Sequence, residues 1–351
     1  MSETHLLGRL AVLTPLETLA LTRFIFRDDV EEGYRFAHFL RNHLKSRHVQ
    51  KFLSRFDRES QDVLLSSKRP VTVTPWPAGE VETRVSKVLK RAQTDAKNLA
   101  QLREQSLPVV QAHREGMKSV QPDAPFDSYL GIEAPPAFKR PETVLSRIKL
   151  SRPSLKALKA KNLVDCIRDR RSNREINALA IAKKDLNLLL WATSGIAEIH
   201  DNGKSHLRNV PSGGSRHAFD TYLFINRVKG MAPGLYFYDP TEHELLALKL
   251  GDLSRELRPA VNGQGHLYQA AIYVVWAATP YRSEWRYGLY ARKDMLIECG
   301  HICQNLYLMA EALELGVCAA SGYHQSELDR LMGLDGRDEF AVYSASISAR
   351  S

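Results

Sequence analysis

The chain reads as an α+β protein in two parts: an amino-terminal, mainly helical domain and a carboxy-terminal domain of mixed helices and strands. Three observations predict this. Beyond residue 153, helical and strand patterns follow one another without strict βαβ alternation, which favours separate layers over a doubly wound parallel sheet. A seam at residues 122–153, PDAPFDSYLGIEAPPAFKRPETVLSRIKLSRP, holds six prolines and keeps no period. Before the seam, apolar residues recur mostly at helical spacing.

In chain order, helices are expected at Pro15 to Phe26, Val30 to Arg55 and Glu82 to Gln111. A short strand is expected at PVTVTPW, where Val71, Val73 and Pro75 alternate with threonines. A helical bundle with a small β-ribbon follows, arranged as a winged helix, and is assigned to residues 1–121. Proline removes a backbone donor and restricts the residue before it, so residues 122–153 read as a linker or an extended wrapping segment. In residues 154–351, helices are expected at Asn162 to Arg170 and Ala182 to Thr193. Strands are expected at Asp220 to Asn226, Gly234 to Tyr238, Ala270 to Ala278, Val317 to Tyr323 and Phe340 to Ile347. A long helix from Asp294 to Leu315 carries an apolar stripe of Leu296, Gly300, Cys303, Leu306, Tyr307 and Ala310, with Gly316 at its end.

Composition narrows the function. With 351 residues, 44% hydrophobic and 25% charged, the chain is that of an ordinary folded protein. Its longest apolar runs are too short to span a bilayer, and MSETHLLGRL lacks the features of a secretory signal; a cytoplasmic location and no membrane partner are expected. The four cysteines form no Cys-x-x-Cys pair and no zinc-like spacing, so no metal site is expected and the thiols read as small buried hydrophobes.

The net charge of +9 is uneven: residues 1–150 hold 24 Lys and Arg against 18 Asp and Glu, and the remainder holds 25 against 22. The excess gathers in Arg35 to Arg58, where seven basic residues meet one acid. Phe36, Phe39, Leu40, His43 and Leu44 give this stretch a packing face. Its basic face reads either as solvated surface or as a dock for an acidic peptide or other anion. A nucleic-acid partner would rest on net charge alone and is not expected.

No G-x-G-x-x-G after a strand, Walker loop, His-Glu-x-x-His or G-x-S-x-G is present. Three stretches remain. The first, RDRRSNREI at residues 168–176, sets Arg170, Ser172 and Arg174 on one side of an extended segment, with Arg171 between them. Planar guanidiniums around a hydroxyl suit phosphate or another oxygen-rich anion, although surface charge is the plainer reading. The second, Pro211-Ser212-Gly213-Gly214, is a small-residue turn before a strand, either an ordinary loop or a place where backbone approaches a flat ligand closely. The third is Ser321-Gly322 at the end of a helix-to-strand unit, which suits a cofactor or simply ends a core strand.

Taken in order, RRSNREI, LLWATSGI, RNVPSGGSRHAFDTYLFI, GLYFYDPTEHEL and RYGLYARKDMLIECGHICQNLYLMAEALELGVCAASGY resemble the FMN-dependent nitroreductase superfamily. Within it they resemble the SagB-type branch, dehydrogenases that oxidise thiazolines or oxazolines to thiazoles or oxazoles in ribosomal peptides. The resemblance covers roughly residues 160–348. It implies a nitroreductase-like fold, with a central, mostly antiparallel sheet flanked by helices, preceded here by the extra helical domain. It also implies FMN as cofactor: Arg170, Arg171, Ser172 and Arg174 at the phosphate tail and polar ring edge, Pro211, Ser212, Gly213 and Gly214 along the ring, and Ser321 and Gly322 over its other side. The flavin of this superfamily lies at a dimer interface, so a homodimer is implied.

One departure matters. Where that branch usually carries a Lys-Tyr pair, thought to handle the substrate proton, this chain has Arg286-Tyr287. Arginine stays protonated and can orient a substrate or steady negative charge, but it is a poor general base; Tyr287 can still exchange a proton. The substitution leaves open reduction of dehydroamino acids in a peptide, and a small-molecule nitro- or quinone-reductase is a further alternative. His217 reads as a ligand contact or as a backbone-satisfied histidine, and Trp285 as a substrate platform or a subunit contact. The implied partners are a precursor peptide, gripped by the amino-terminal domain, and other peptide-modifying enzymes.

Overall fold

The computed structural model describes residues 3–23, 30–55, 75–116, 126–151, 153, 161–200 and 205–350. They fall into two compact units, Met1–Glu115 and Gly116–Ser351.

The described residues of the first unit are helical: α1 Glu3–Ala11, α2 Pro15–Arg23, α3 Val30–Asn42, α4 Arg47–Leu53 and α5 Val81–Gly116. α2 begins with a reciprocal cap. Thr14 N–H donates to Glu17 at 2.7 Å and Glu17 N–H donates to the Thr14 hydroxyl at 3.2 Å, with proline at the first helical position. The single helix expected over Val30 to Arg55 is two, because Ser46 turns the chain and caps α4 by accepting from His48 N–H at 3.3 Å. Phe36, Phe39, Leu40, Phe52, Val85 and Leu89 meet in the core. Of the expected PVTVTPW strand and the winged-helix arrangement it would complete, residues 70–74 lie outside the described residues.

The second unit is built on a seven-stranded sheet. Its strands are β1 Ser146–Lys149, β4 Phe219–Ile225, β5 Gly234–Asp239, β6 Glu244–Leu250, β7 Ile272–Ala278, β8 Leu315–Ala320 and β9 Phe340–Ala349, and a separate hairpin joins β2 Ile196–His200 to β3 Ser205–Arg208. The sheet order is β1-β6-β5-β4-β7-β9-β8 and every pairing is antiparallel. The helices are α6 Leu163–Asp169, α7 Lys183–Ser194, α8 Ser254–Ala260, α9 Gly265–Tyr268, α10 Tyr281–Tyr287, α11 Ala291–Ala312 and α12 Gln325–Met332.

Alternation along the strands explains the layers. Phe219, Leu223 and Ile225 of β4 pack with Val274, Leu190, Ile302 and Leu306, on the face covered by α7 and α11. Tyr222 and Phe224 point the other way and pack with Leu257, Leu267 and Leu328 from α8, α9 and α12. With both faces covered, β4 and β7 are buried along their whole lengths.

Three sequence expectations need correction. The long helix ends at Ala312, and Leu315 and Gly316, expected at its end, open β8. In α11 the buried stripe is Met295, Cys299, Ile302, Cys303, Leu306 and Ala310, while Leu296 and Gly300 face outward. A step of four residues from 296 to 300 stays on the neighbouring helix face, one position from the buried stripe at its start. β6 was not expected, because ELLALKL suits a helix equally well; pairing with β5 across a tight hairpin decides it.

Residues 126–151 run along the second unit and end as edge strand β1. Arg282 in α10 ties them to the sheet. Its guanidinium donates to Asp220 at 3.1 Å and pairs with that carboxylate's other oxygen at 3.0 Å, both residues being buried, and its Nε–H donates to Pro136 O at 3.2 Å. Removing one partner of such a pair strands a buried charge. Arg282→Met is expected to lower unfolding free energy by about 3–5 kcal/mol in denaturant titration, with Arg282→Met/Asp220→Leu recovering most of the loss.

Candidate active site

The arginine segment follows α6. Arg170 caps that helix with extended geometry, its N–H donating to Cys166 O at 3.0 Å, and the chain then runs beside β8. Ser172 bridges Val317 in parallel, and Asn173 N–H donates to Val317 O at 2.8 Å. Tyr307 of α11 organises this corner. The Arg170 guanidinium lies 4.9 Å from its ring centre, its hydroxyl is 3.0 Å from Ser172 Oγ, and the same hydroxyl accepts from Ala319 N–H at 2.8 Å. Arg170 and Ser172 are thus held on one tyrosine.

Arg171 is not gathered with them. It turns back to donate to the carbonyls of Arg168 and Arg170, at 2.9 and 2.7 Å. Arg174 lies farther along, close enough to His266 and Cys318 for its charge to hold both pKa values down, although burial is the larger influence on each and raises Cys318 overall. Ser321 and Gly322 are exposed just past β8, and Gly322 O accepts from Gln264 at 2.8 Å and from Asn262 at 3.1 Å.

The glycine turn forms a second neighbourhood. Gly213–Ser215 is a single 3₁₀ turn in which Gly214 has φ 54°, Ser215 φ 53° and, two residues on, His217 φ 45°. Gly213 lies against Asp294, and a methyl group on Gly214 would run into the Tyr287 hydroxyl and approach Arg286 Cδ to 3.3 Å. A side chain there would strain the backbone and push the Tyr287 hydroxyl aside. Arg216 curls back over the turn, its Nε–H donating to Gly214 O at 3.2 Å and its guanidinium lying 5.4 Å from the Trp285 ring centre. Burial and the charge of Arg286 pull the Arg216 pKa down, opposed by Tyr287.

Beneath the turn, Ser212 donates to Glu298 at 2.7 Å and accepts from His217 N–H at 2.9 Å. The other Glu298 oxygen lies 3.5 Å from His217 Nδ1, and neither atom has a hydrogen-bond partner. Both residues are buried, and the His217 ring stacks at 4.7 Å on that of His206. Burial lowers the His217 pKa, opposed by Glu298 and by the His206 backbone. Burial, reinforced by Arg208, pushes His206 down to about 2.

The two neighbourhoods sit at different points of one helix. Asp294 and Glu298 reach the glycine turn and Tyr307 reaches the arginines; nine residues of helix between Glu298 and Tyr307 amount to about 14 Å. Sequence reasoning missed Tyr307, Glu298, Asp294 and Arg216 as site residues. Glu298 had a local signal, a carboxylate on the buried side of an apolar helix. Tyr307 has no local signal beyond its place in the apolar stripe.

The carboxy-terminal unit matches the nitroreductase family over residues 167–347, and the chain belongs to that family. Its members are oxidoreductases that typically bind flavin. A nitroreductase relative from Methanocaldococcus jannaschii is 26% identical over 185 residues, which are 53% of this chain and 89% of that protein. The trifolitoxin-processing protein TfxF of Rhizobium leguminosarum bv. trifolii is 28% identical over 142 residues, 39% of this chain and 46% of TfxF. Among solved structures, a nitroreductase from Anabaena variabilis superimposes with a TM-score of 0.49 at 23% identity, over 59% of this chain and 42% of that one. The chain thus spans under half the length of TfxF and of the Anabaena protein. Among the described residues, no helix is long and apolar enough to cross a membrane.

A histidine whose folded pKa lies below its unfolded value leaves the unfolded chain binding more protons, so stability falls as pH falls below the unfolded pKa of about 6.5. For His206 the window runs from about 6.5 down to about 2. Thermal melts between pH 7 and 5 should show the midpoint dropping in the native protein and dropping less in His206→Asn, the site contributing at most about 1.4 kcal/mol per pH unit.

Proposed function

We propose that the protein is an FMN-dependent oxidoreductase of ribosomal-peptide maturation that oxidises thiazoline or oxazoline rings in a precursor peptide to thiazoles or oxazoles. The observation that carries this reading is the convergence on Gly214, where the Tyr287 hydroxyl, the Arg286 stem and the Arg216 guanidinium meet a bare stretch of backbone.

The donor set fits FMN. Arg170, Ser172 and Arg174 offer guanidinium forks and a hydroxyl to an anionic phosphate, while Arg171, turned back onto the backbone, holds the segment that carries them. Pro211 and Ser212–Gly214 offer a flat backbone wall, and Ser321 and Gly322 a second small-residue edge. When bound, FMN supplies two-electron hydride exchange. The Tyr287 hydroxyl then takes or returns the substrate proton, and the Arg286 guanidinium orients the substrate and steadies developing negative charge.

A homodimer completes this reading. Glu298 and Tyr307, to which the glycine turn and the arginine corner attach, are separated by about 14 Å of rise along α11, and in this reading a two-fold partner brings the turn of one copy to the corner of the other. Exposed apolar residues suit such a contact: Leu163, Val164 and Ile167 on α6, and Leu296 and Ile297 on α11. The peptide substrate draws support from TfxF, which is named for processing trifolitoxin. It also draws support from the separate amino-terminal unit ahead of the family region, whose exposed Lys45, Arg47 and Lys51 suit an acidic leader segment. Other peptide-modifying enzymes are the further partners of this reading, and the cytoplasm is its setting.

The purified protein should show flavin bands near about 375 and 450 nm. The bands weaken in Arg170→Ala and in Arg174→Ala; a protein that stays colourless with added FMN would sink the proposal. Tyr287→Phe should keep the bands and lose about 10²–10⁴-fold in turnover of an azoline-bearing peptide, read by loss of two mass units per ring.

A further inference from the structure

Tyr287 is the last residue of a seven-residue helix, and a short helix is a poor platform for a group that must stand at one place. Its surroundings supply what the helix lacks. Residues 126–132 run across α10 and hold it at several points. Ser128 N–H donates to Trp285 O at 2.9 Å, the Trp285 indole N–H donates to Ile132 O at 2.8 Å, and the Tyr281 hydroxyl donates to Asp127 at 2.8 Å. Phe126 closes the exit of the helix. Gly288, directly after Tyr287, has φ 49° and ψ −125°, a conformation open to glycine, and its missing Cβ would stand 3.0 Å from the Phe126 ring. Phe126 also meets Tyr290 edge-on, with ring centres 6.2 Å apart.

These contacts close a circuit. The strap fixes the Trp285 ring through Ile132 O; the ring faces the Arg216 guanidinium; Arg216 donates to Gly214 O; and Gly214 is the residue against which the Tyr287 hydroxyl rests. Tyr287 and Trp285 share α10, which the strap holds through Ser128. Trp285 is therefore occupied on its nitrogen by the strap and near its ring by arginine, neither of which is a substrate.

We infer that Trp285 and Arg216 are positioning residues, locked by the strap of residues 126–132, that hold the Tyr287 hydroxyl against the glycine turn. The functional consequence rests on the reading of Tyr287 as the proton-handling group; the frame itself does not. Arginine is required over lysine, because a planar guanidinium can lie over the indole while its Nε–H reaches a carbonyl, whereas an ammonium makes one contact at a time.

The test places 3-fluorotyrosine at position 287 of the full chain and records its ¹⁹F resonance without substrate. The native protein should give one narrow line. Trp285→Phe, which keeps a ring but loses the bond to Ile132, and Arg216→Lys, which keeps charge but loses the fork, should each shift and broaden it, while Glu327→Ala, on the outer side of α12, leaves it unchanged. Either variant serves if the other fails to fold. A line unmoved in a folded Trp285→Phe or Arg216→Lys protein overturns the inference. In the unlabelled FMN-loaded enzyme the same variants should lower kcat about tenfold to a hundredfold with KM nearly constant, as misplacement of a reacting group does. If the line moves as expected while Tyr287→Phe turns over normally, the frame stands and the role given to Tyr287 falls.

Discussion

The site depends on how α11 is pressed onto the sheet. Met295, Cys299, Ile302, Cys303, Leu306 and Ala310 bury one stripe of this helix, and each large apolar side chain so buried stabilises by about 1.5–3 kcal/mol. Its two thiols behave as apolar groups: burial pushes Cys303 up to about 12 and Cys299 well above its usual range, so neither carries charge. With that stripe fixed, the remaining positions have no freedom. Asp294 and Glu298 must face the glycine turn and Tyr307 must face the arginine segment. A shift of the helix by one residue would release Ser212 and Ser172 together, so folding of the core and assembly of the site are one event.

How much of this was legible in the sequence follows from the range of the contacts involved. β4, β5, β7 and β9, the long helix, and the two polar stretches at 168–176 and 211–215 were legible because each has a local signature: alternation, a helical stripe, clustered arginines, paired glycines. β6 was not, because its composition does not choose between helix and strand and a hairpin partner makes the choice. The grouping of Arg216 with Trp285, or of Ile132 with the Trp285 indole, crosses about 70 and 150 residues of chain and leaves no periodic trace. The proline-rich seam hid most. Its prolines announced extended chain, and FDSYLGI within it carried aromatic and apolar residues that a free linker has no use for, but nothing local names α10 as what they meet.

The basic stretch of the amino-terminal unit shows how far a charge count can mislead. Arg35 is engaged by Glu31 and Glu32 on its own helix. Arg55 turns inward, donating to Leu13 O at 2.7 Å and Ala11 O at 2.8 Å, and so satisfies carbonyls at the end of α1 that the helix leaves without partners. Both arginines therefore serve the fold, and the charge that faces water in this stretch is smaller than seven basic residues suggest. Among the described residues of this stretch, Lys45, Arg47 and Lys51 are the exposed cations on which a docking role can rest.

The glycine turn stores strain that its own contacts maintain. Ser215 and His217 take positive φ angles that side chains disfavour, each at a cost of about 1–3 kcal/mol. The turn would relax by swinging His217 outward, but His217 N–H is bonded to Ser212 Oγ, Ser212 Oγ to Glu298, and the imidazole is buried against His206. Relaxation would expose a buried ring and strand a buried carboxylate, which costs more than the strain released. The same bonds fix what the turn can offer a ligand. With the Ser212 proton given to Glu298 and one lone pair taken by His217 N–H, that hydroxyl can only accept from a ligand. The buried acid beneath the turn thus removes the Ser212 hydroxyl from the donors that the surface above can offer.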